Sequence, residues 1–110
     1  MREIQEIIAA LIKFRDERNW KQFHDSKNLA LALFIEAAEL NELFLWKNNP
    51  EDFDMDRLKE ELADVLAYAF LLAEKHGLDI KQIMLDKIEK NAAKYPVEKA
   101  KGSSKKYTEL

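Results

Sequence analysis

From Met1 to Asn49 the chain contains neither glycine nor proline, and all 110 residues hold only two of each. An all-β domain needs turn residues at intervals of about 8–12 residues, so this sequence can hardly build one. Apolar residues instead recur at helical spacing. Ile4, Ile7, Ile8, Leu11, Ile12 and Phe14 predict a first helix over 2–18 that ends near Asn19. Asp25 and Ser26 are good N-caps for a second helix running to about Lys47, before Asn48-Asn49-Pro50. A third is expected over roughly 55–75, capped by Asp54 or Asp56 and ended by Gly77. Asp79-Ile80-Lys81-Gln82 has the form of a capping box and opens a fourth helix that reaches about Lys94, ahead of Pro96. The expectation is an all-α four-helix bundle: one domain over 1–96, followed by a mobile, Lys-rich tail over 97–110.

The second and third helices carry more apolar surface than one core can use. Leu29 to Ile35 is uninterrupted, as is Val65 to Ala73, whereas a helix packed on one side needs only an apolar stripe. A second buried contact is implied, and another copy of the chain would supply it, as an obligate homodimer or homotetramer. The absence of cysteine excludes a disulfide framework and thiolate metal sites and fits a reducing, cytoplasmic setting. A net charge of −3 argues against a broad nucleic-acid footprint, and no apolar run approaches the length of a membrane span.

Those same two helices hold Glu36 and Glu39, then Glu61 and Asp64, each pair three residues apart. Such pairs share one helix face, one turn apart. Antiparallel packing could bring all four carboxylates together, where their mutual repulsion makes sense if a cation lies among them. An all-oxygen ligand set suits a hard ion, Mg²⁺ or Mn²⁺. The alternative is an ordinary solvated face, as expected for Glu42, Glu51, Glu60 and Glu74. The surrounding Leu, Ala, Phe and Ile favour the metal.

On the fourth helix Lys87, Asn91 and Lys94 share a face with Ile80, Ile83, Met84 and Tyr95. Either the lysine stems snorkel to solvent or their ammonium groups meet an anion. Trp46 follows Glu39 by seven residues, about 10 Å along a continuous helix, and Trp20 and His24 are spaced i, i+4. Tyr68 aligns with Glu61 and Asp64. Each aromatic could equally be a core residue.

The Glu36-x-x-Glu39 and Glu61-x-x-Asp64 pairs, with 21 residues between them, resemble the metal signature of the MazG-like all-α nucleoside triphosphate pyrophosphatases. Asn19 to His24, Lys27-Asn28-Leu29, Glu39 to Trp46, Glu61 to Tyr68 and Lys87 to Pro96 are similar to the dCTP pyrophosphatase branch. Ala38 stands where that family often has glycine. The resemblance implies Mg²⁺-dependent hydrolysis of a nucleoside triphosphate to monophosphate and pyrophosphate, with Glu36, Glu39, Glu61 and Asp64 as metal ligands. It also implies a base pocket walled by Trp20, His24 and Trp46, with Asn28 in a matching segment, and phosphate or sugar contacts from Tyr68, Lys87, Asn91, Lys94 and Tyr95.

The chain offers no Ser-His-Asp set, cysteine nucleophile or Gly-rich phosphate loop, which leaves metal-activated water as the chemistry its residues permit. A di-iron bundle would require Glu-x-x-His pairs, and neither His24 nor His76 follows a glutamate at that spacing. The remaining rival is a helical dimerisation module with incidental acidic pairs.

Overall fold

Side-chain caps set most of the helix starts. In the computed structural model, which describes residues 2–110, the elements are α1 (Arg2–Glu17), α2 (Ser26–Glu42), α3 (Met55–Lys75), α4 (Ile80–Lys94) and the short α5 (Val97–Ala100), with 3₁₀ turns at Lys21–Phe23 and Tyr107–Glu109. There is no strand among the described residues. Asp25 opens α2 by accepting from the Asn28 N–H at 2.7 Å, and Asp54 opens α3 by accepting from Asp56 N at 2.9 Å. Asp79 accepts from Gln82 N at 3.0 Å to open α4, but Gln82 donates onward to Asp86 at 2.8 Å, so only half of the expected capping box forms.

Helix α1 ends at Glu17, and Asn19, with φ 55°, reverses the chain just beyond it. Trp20 N–H then bonds back to the Arg15 carbonyl at 3.1 Å. At the end of α3 Gly77 takes φ 65°, a conformation open to glycine at little cost, and Leu78 N–H closes onto the Ala73 carbonyl at 2.9 Å.

The second helix is shorter than its sequence suggests. It stops at Glu42 instead of continuing to Lys47, because Leu43 and Phe44 donate to carbonyls three residues back and Trp46 adopts φ 63°. Phe44 then packs edge-on against Phe53, with ring centroids 5.3 Å apart. The geometric premise for Trp46, a place on the same helical line as Glu39, is thereby corrected.

The chain divides after Leu78 into two compact units. In the first, α2 and α1 both pack against α3, and Ser26 Oγ at the start of α2 lies 2.8 Å from His76 Nε2 at the end of α3. Leu29, Leu43, Leu71 and Ala73 form its buried core. Arg15 is buried with them, its Nε bonded to Asp16 at 2.9 Å and its Nη1 3.5 Å from Glu74. Glu74, expected to be merely solvated, thus pairs with a buried cation. In the second unit the segment expected to be a mobile tail holds α5 and a 3₁₀ turn, and Tyr107 packs edge-on to Tyr95 at 6.1 Å.

Candidate active site

Packing of α2 on α3 brings carboxylates of Glu36, Glu39 and Glu61 to one place, with one oxygen from each within 4.8 Å of the others. The i, i+3 spacing puts Glu36 and Glu39 on one face of α2, and Glu61 meets them from α3. Asp64, one turn further along α3, lies outside this set of three. Its negative charge nevertheless acts on both Glu36 and Glu61.

Burial is the main cause that raises the Glu36 carboxyl to about 7, followed by its contact with Glu39 and the charges of Asp64 and Glu61. Glu61 is also raised, by burial and then by Glu39, against an opposing effect from Arg57. One oxygen of each, Glu36 Oε2 and Glu61 Oε2, is buried with no hydrogen-bond partner among the described residues. Buried acceptors left this way are costly, and a hard divalent cation would satisfy both while offsetting the repulsion. The donor set therefore fits Mg²⁺ or Mn²⁺.

A cavity of about 260 Å³ adjoins Asp64. Trp20, His24 and Tyr68, which sequence reasoning singled out, all line it, together with Phe14, Arg15 and Leu71. Phe14 and Trp20 meet edge to face at 5.8 Å, and Arg18 stacks on Phe14 with its guanidinium carbon 3.6 Å from the ring centre. His24 and Tyr68 approach at 6.5 Å, also edge to face. Burial and then the Arg15 charge lower the His24 pKa, favouring neutral imidazole, and its Nδ1 is buried without a hydrogen-bond partner among the described residues. Burial and then the charges of Glu36 and Asp64 raise Tyr68 and keep its phenol protonated.

Two expected contacts are not among the residues that line this cavity. Trp46 is 91% exposed and does not line the cavity. Asn28 donates its amide to the Phe23 carbonyl at 3.1 Å and to Asp25 at 3.2 Å, bracing the turn into α2. In the second unit Lys87, Asn91 and Lys94 are exposed on α4, and Lys94 Nζ lies 5.0 Å from the Tyr107 ring centre.

The contribution of α1 had not been anticipated. Ile4, Ile8, Leu11 and Arg15 follow 4, 3, 4 spacing, so a charged residue continues the apolar stripe. That break in pattern was the available signal.

The sequence model of the MazG-like family matches residues 31–110, which include all four acidic positions. The chain belongs to the MazG-like family. It is 40% identical to dCTP pyrophosphatase 1 of Homo sapiens and to that of Mus musculus, each alignment covering 97% of this chain and 67% of the relative. It is also similar to the crystal structure of a pyrophosphatase from Archaeoglobus fulgidus, with a TM-score of 0.75 and 34% identity, over 86% of this chain and 93% of that one. Among the described residues of this MazG-like protein, no helix is long and apolar enough to cross a membrane.

The raised Glu36 carboxyl gives the metal-free MazG-like protein a pH signature. Unfolded, Glu36 titrates near 4.5, and folded near 7. Its contribution to stability is full below 4.5 and is lost as pH rises through about 7, because the folded state holds the proton more tightly. His24, lowered on folding, acts oppositely, losing its contribution as pH falls. The readout is therefore a difference. In chelator, wild type minus Glu36→Gln should fall in melting temperature between pH 5 and pH 8. A flat or rising difference would remove the strained-carboxyl interpretation.

Proposed function

We propose that this protein is a nucleotide pyrophosphohydrolase that converts a nucleoside triphosphate to the monophosphate and pyrophosphate, with dCTP or a modified dCTP preferred. The carrying observation is the meeting of Glu36, Glu39 and Glu61 from two helices, with one buried oxygen each of Glu36 and Glu61 lacking a partner among the described residues. Membership of the MazG-like family and the dCTP pyrophosphatase relatives support the same activity. An incidental acidic pair in a dimerisation module gives no reason for those unpaired oxygens.

Glu36, Glu39, Glu61 and Asp64 would hold Mg²⁺. The ion, when bound, supplies charge neutralisation at phosphate oxygens and acidifies a coordinated water. Glu39, the exposed carboxylate of the three, would orient or deprotonate the attacking water. Trp20 and His24 form walls for the base beside Asp64, and Tyr68 contacts the sugar or braces a carboxylate. A cavity of about 260 Å³, just below the usual range for drug-sized ligands, suits one ring system. Trp46 as a base contact, Asn28 as a substrate contact, and Lys87, Asn91, Lys94 and Tyr95 as phosphate or sugar contacts, rest on family resemblance alone.

The reading includes the four-helix bundle architecture, cytoplasmic action and assembly as a homodimer or homotetramer. Phe34 is 70% exposed, Leu31 51% and Leu66 46%, a run of apolar surface on α2 and α3 that an identical chain would cover. The test of function is turnover of a triphosphate panel with and without metal. Full activity with Mg²⁺ or Mn²⁺ and none in chelator is expected, and full activity in chelator would refute the metal site.

A further inference from the structure

The buried side chain of Arg15 has no part in the carboxylate chemistry, yet Arg15 lines the cavity that takes the base, as well as a second cavity of about 150 Å³ that also holds Glu74. Its Nε donates to Asp16 and its Nη1 lies 3.5 Å from Glu74, while Nη2 has no hydrogen-bond partner among the described residues, so a guanidinium edge that includes Nη2 is left for a ligand. Only 8% of the side chain is exposed. Helix α1 fixes its position from below, because the Arg15 carbonyl accepts from both Arg18 N at 3.2 Å and Trp20 N at 3.1 Å.

The surroundings define what that edge can recognise. Phe14, Trp20, Ala67 and Leu71 make the rest of the cavity largely apolar, so a polar edge of a bound ring must find its partners in Arg15, His24, Asp64 or Tyr68, and of these Arg15 alone is a pure donor that stays charged. Asp16 and Glu74 offset part of the guanidinium charge, and what remains acts on His24. Two parallel N–H groups match two adjacent acceptors. Cytosine presents such a pair in N3 and O2. Thymine and uracil present an N3–H donor at the first position, which would face a donor on the guanidinium.

We propose that Arg15 is a specificity-determining residue of the base pocket, its free edge selecting a pyrimidine with adjacent N3 and O2 acceptors over one that carries N3–H. The inference rests on the base occupying this cavity, as set out under Proposed function. Arg15 lies outside residues 31–110 matched by the family model, so the family match does not assign it.

A purely structural Arg15 would tie α1 to α3 and leave base choice alone. Three variants separate the roles. Arg15→Lys keeps the charge and removes the fork, Arg15→Met removes both, and Glu74→Gln weakens the tie while keeping the fork. Binding of dCMP and dTMP in chelator, followed by tryptophan fluorescence, gives the base ratio without turnover. Wild type and Glu74→Gln should favour dCMP, by about 5- to 150-fold for a good bidentate contact. Arg15→Lys should lose most of that ratio, and Arg15→Met all of it where it folds. If Arg15→Lys keeps the wild-type ratio, or wild type shows no preference, the inference is overturned. Failure of the activity reading is distinct: it appears as no pyrophosphate from any triphosphate.

Discussion

Glu39→Gln should reduce pyrophosphate release by about two to three orders of magnitude, the scale seen when one preorganised electrostatic contact is lost. The side chain is exposed while its neighbours Glu36 and Glu61 are partly buried, so the substitution should disturb packing little. It removes one charge from three carboxylates whose ligand oxygens lie within 4.8 Å of one another. In chelator the variant should therefore melt at or above wild type, against the usual tendency of substitutions to destabilise. Mg²⁺ should stabilise wild type by about 2.7 kcal/mol at a hundredfold excess over its Kd, and the variant much less. Calorimetric melts with and without Mg²⁺, beside a turnover assay, check both halves. A variant that keeps wild-type turnover and the full Mg²⁺ shift would show that Glu39 is only a solvated helix residue.

Trp20→Ala is expected to act on the other end of the substrate. Stacking of a base on an aromatic side chain contributes about 1–3 kcal/mol, so KM for dCTP should rise by about 5- to 150-fold. The kcat value should stay within a few-fold, since the indole is remote from the carboxylates in role and bonds to none of them among the described residues. Trp20 is 42% exposed and held edge-on by Phe14, which limits the cost to folding. Steady-state kinetics on dCTP decide the matter: an unchanged KM would remove Trp20 from the pocket, and a lost kcat with unchanged KM would assign it to the chemical step.

Much of this architecture was legible because the chain punctuates itself with local chemistry. Asp54, Gly77, Asp79 and Pro96 mark the ends of α3 and α4 by capping, left-handed backbone and the loss of an N–H, all written in single residues. The acidic pairs were legible for the same reason, since i, i+3 spacing needs nothing beyond helix geometry. What was hidden depends on contacts between distant segments. Leu43 to Trp46 have nothing against helix formation, and α2 ends there through backbone turns and the packing of Phe44 on Phe53. The pairing of Arg15 with Glu74, 59 residues away, is set by the packing of α1 on α3. The close set of three carboxylates, with Asp64 beside it, likewise follows from the register of α2 on α3, which spacing along each helix does not fix.

The central claim is cleavage between the α- and β-phosphates by a metal site of helix carboxylates. Phosphorus-31 NMR of dCTP incubated with the protein and Mg²⁺ reads the products directly. Pyrophosphate and dCMP should appear together in equal amounts from the first time point, with no dCDP, and neither should form in chelator. Early accumulation of dCDP with orthophosphate would contradict the assignment.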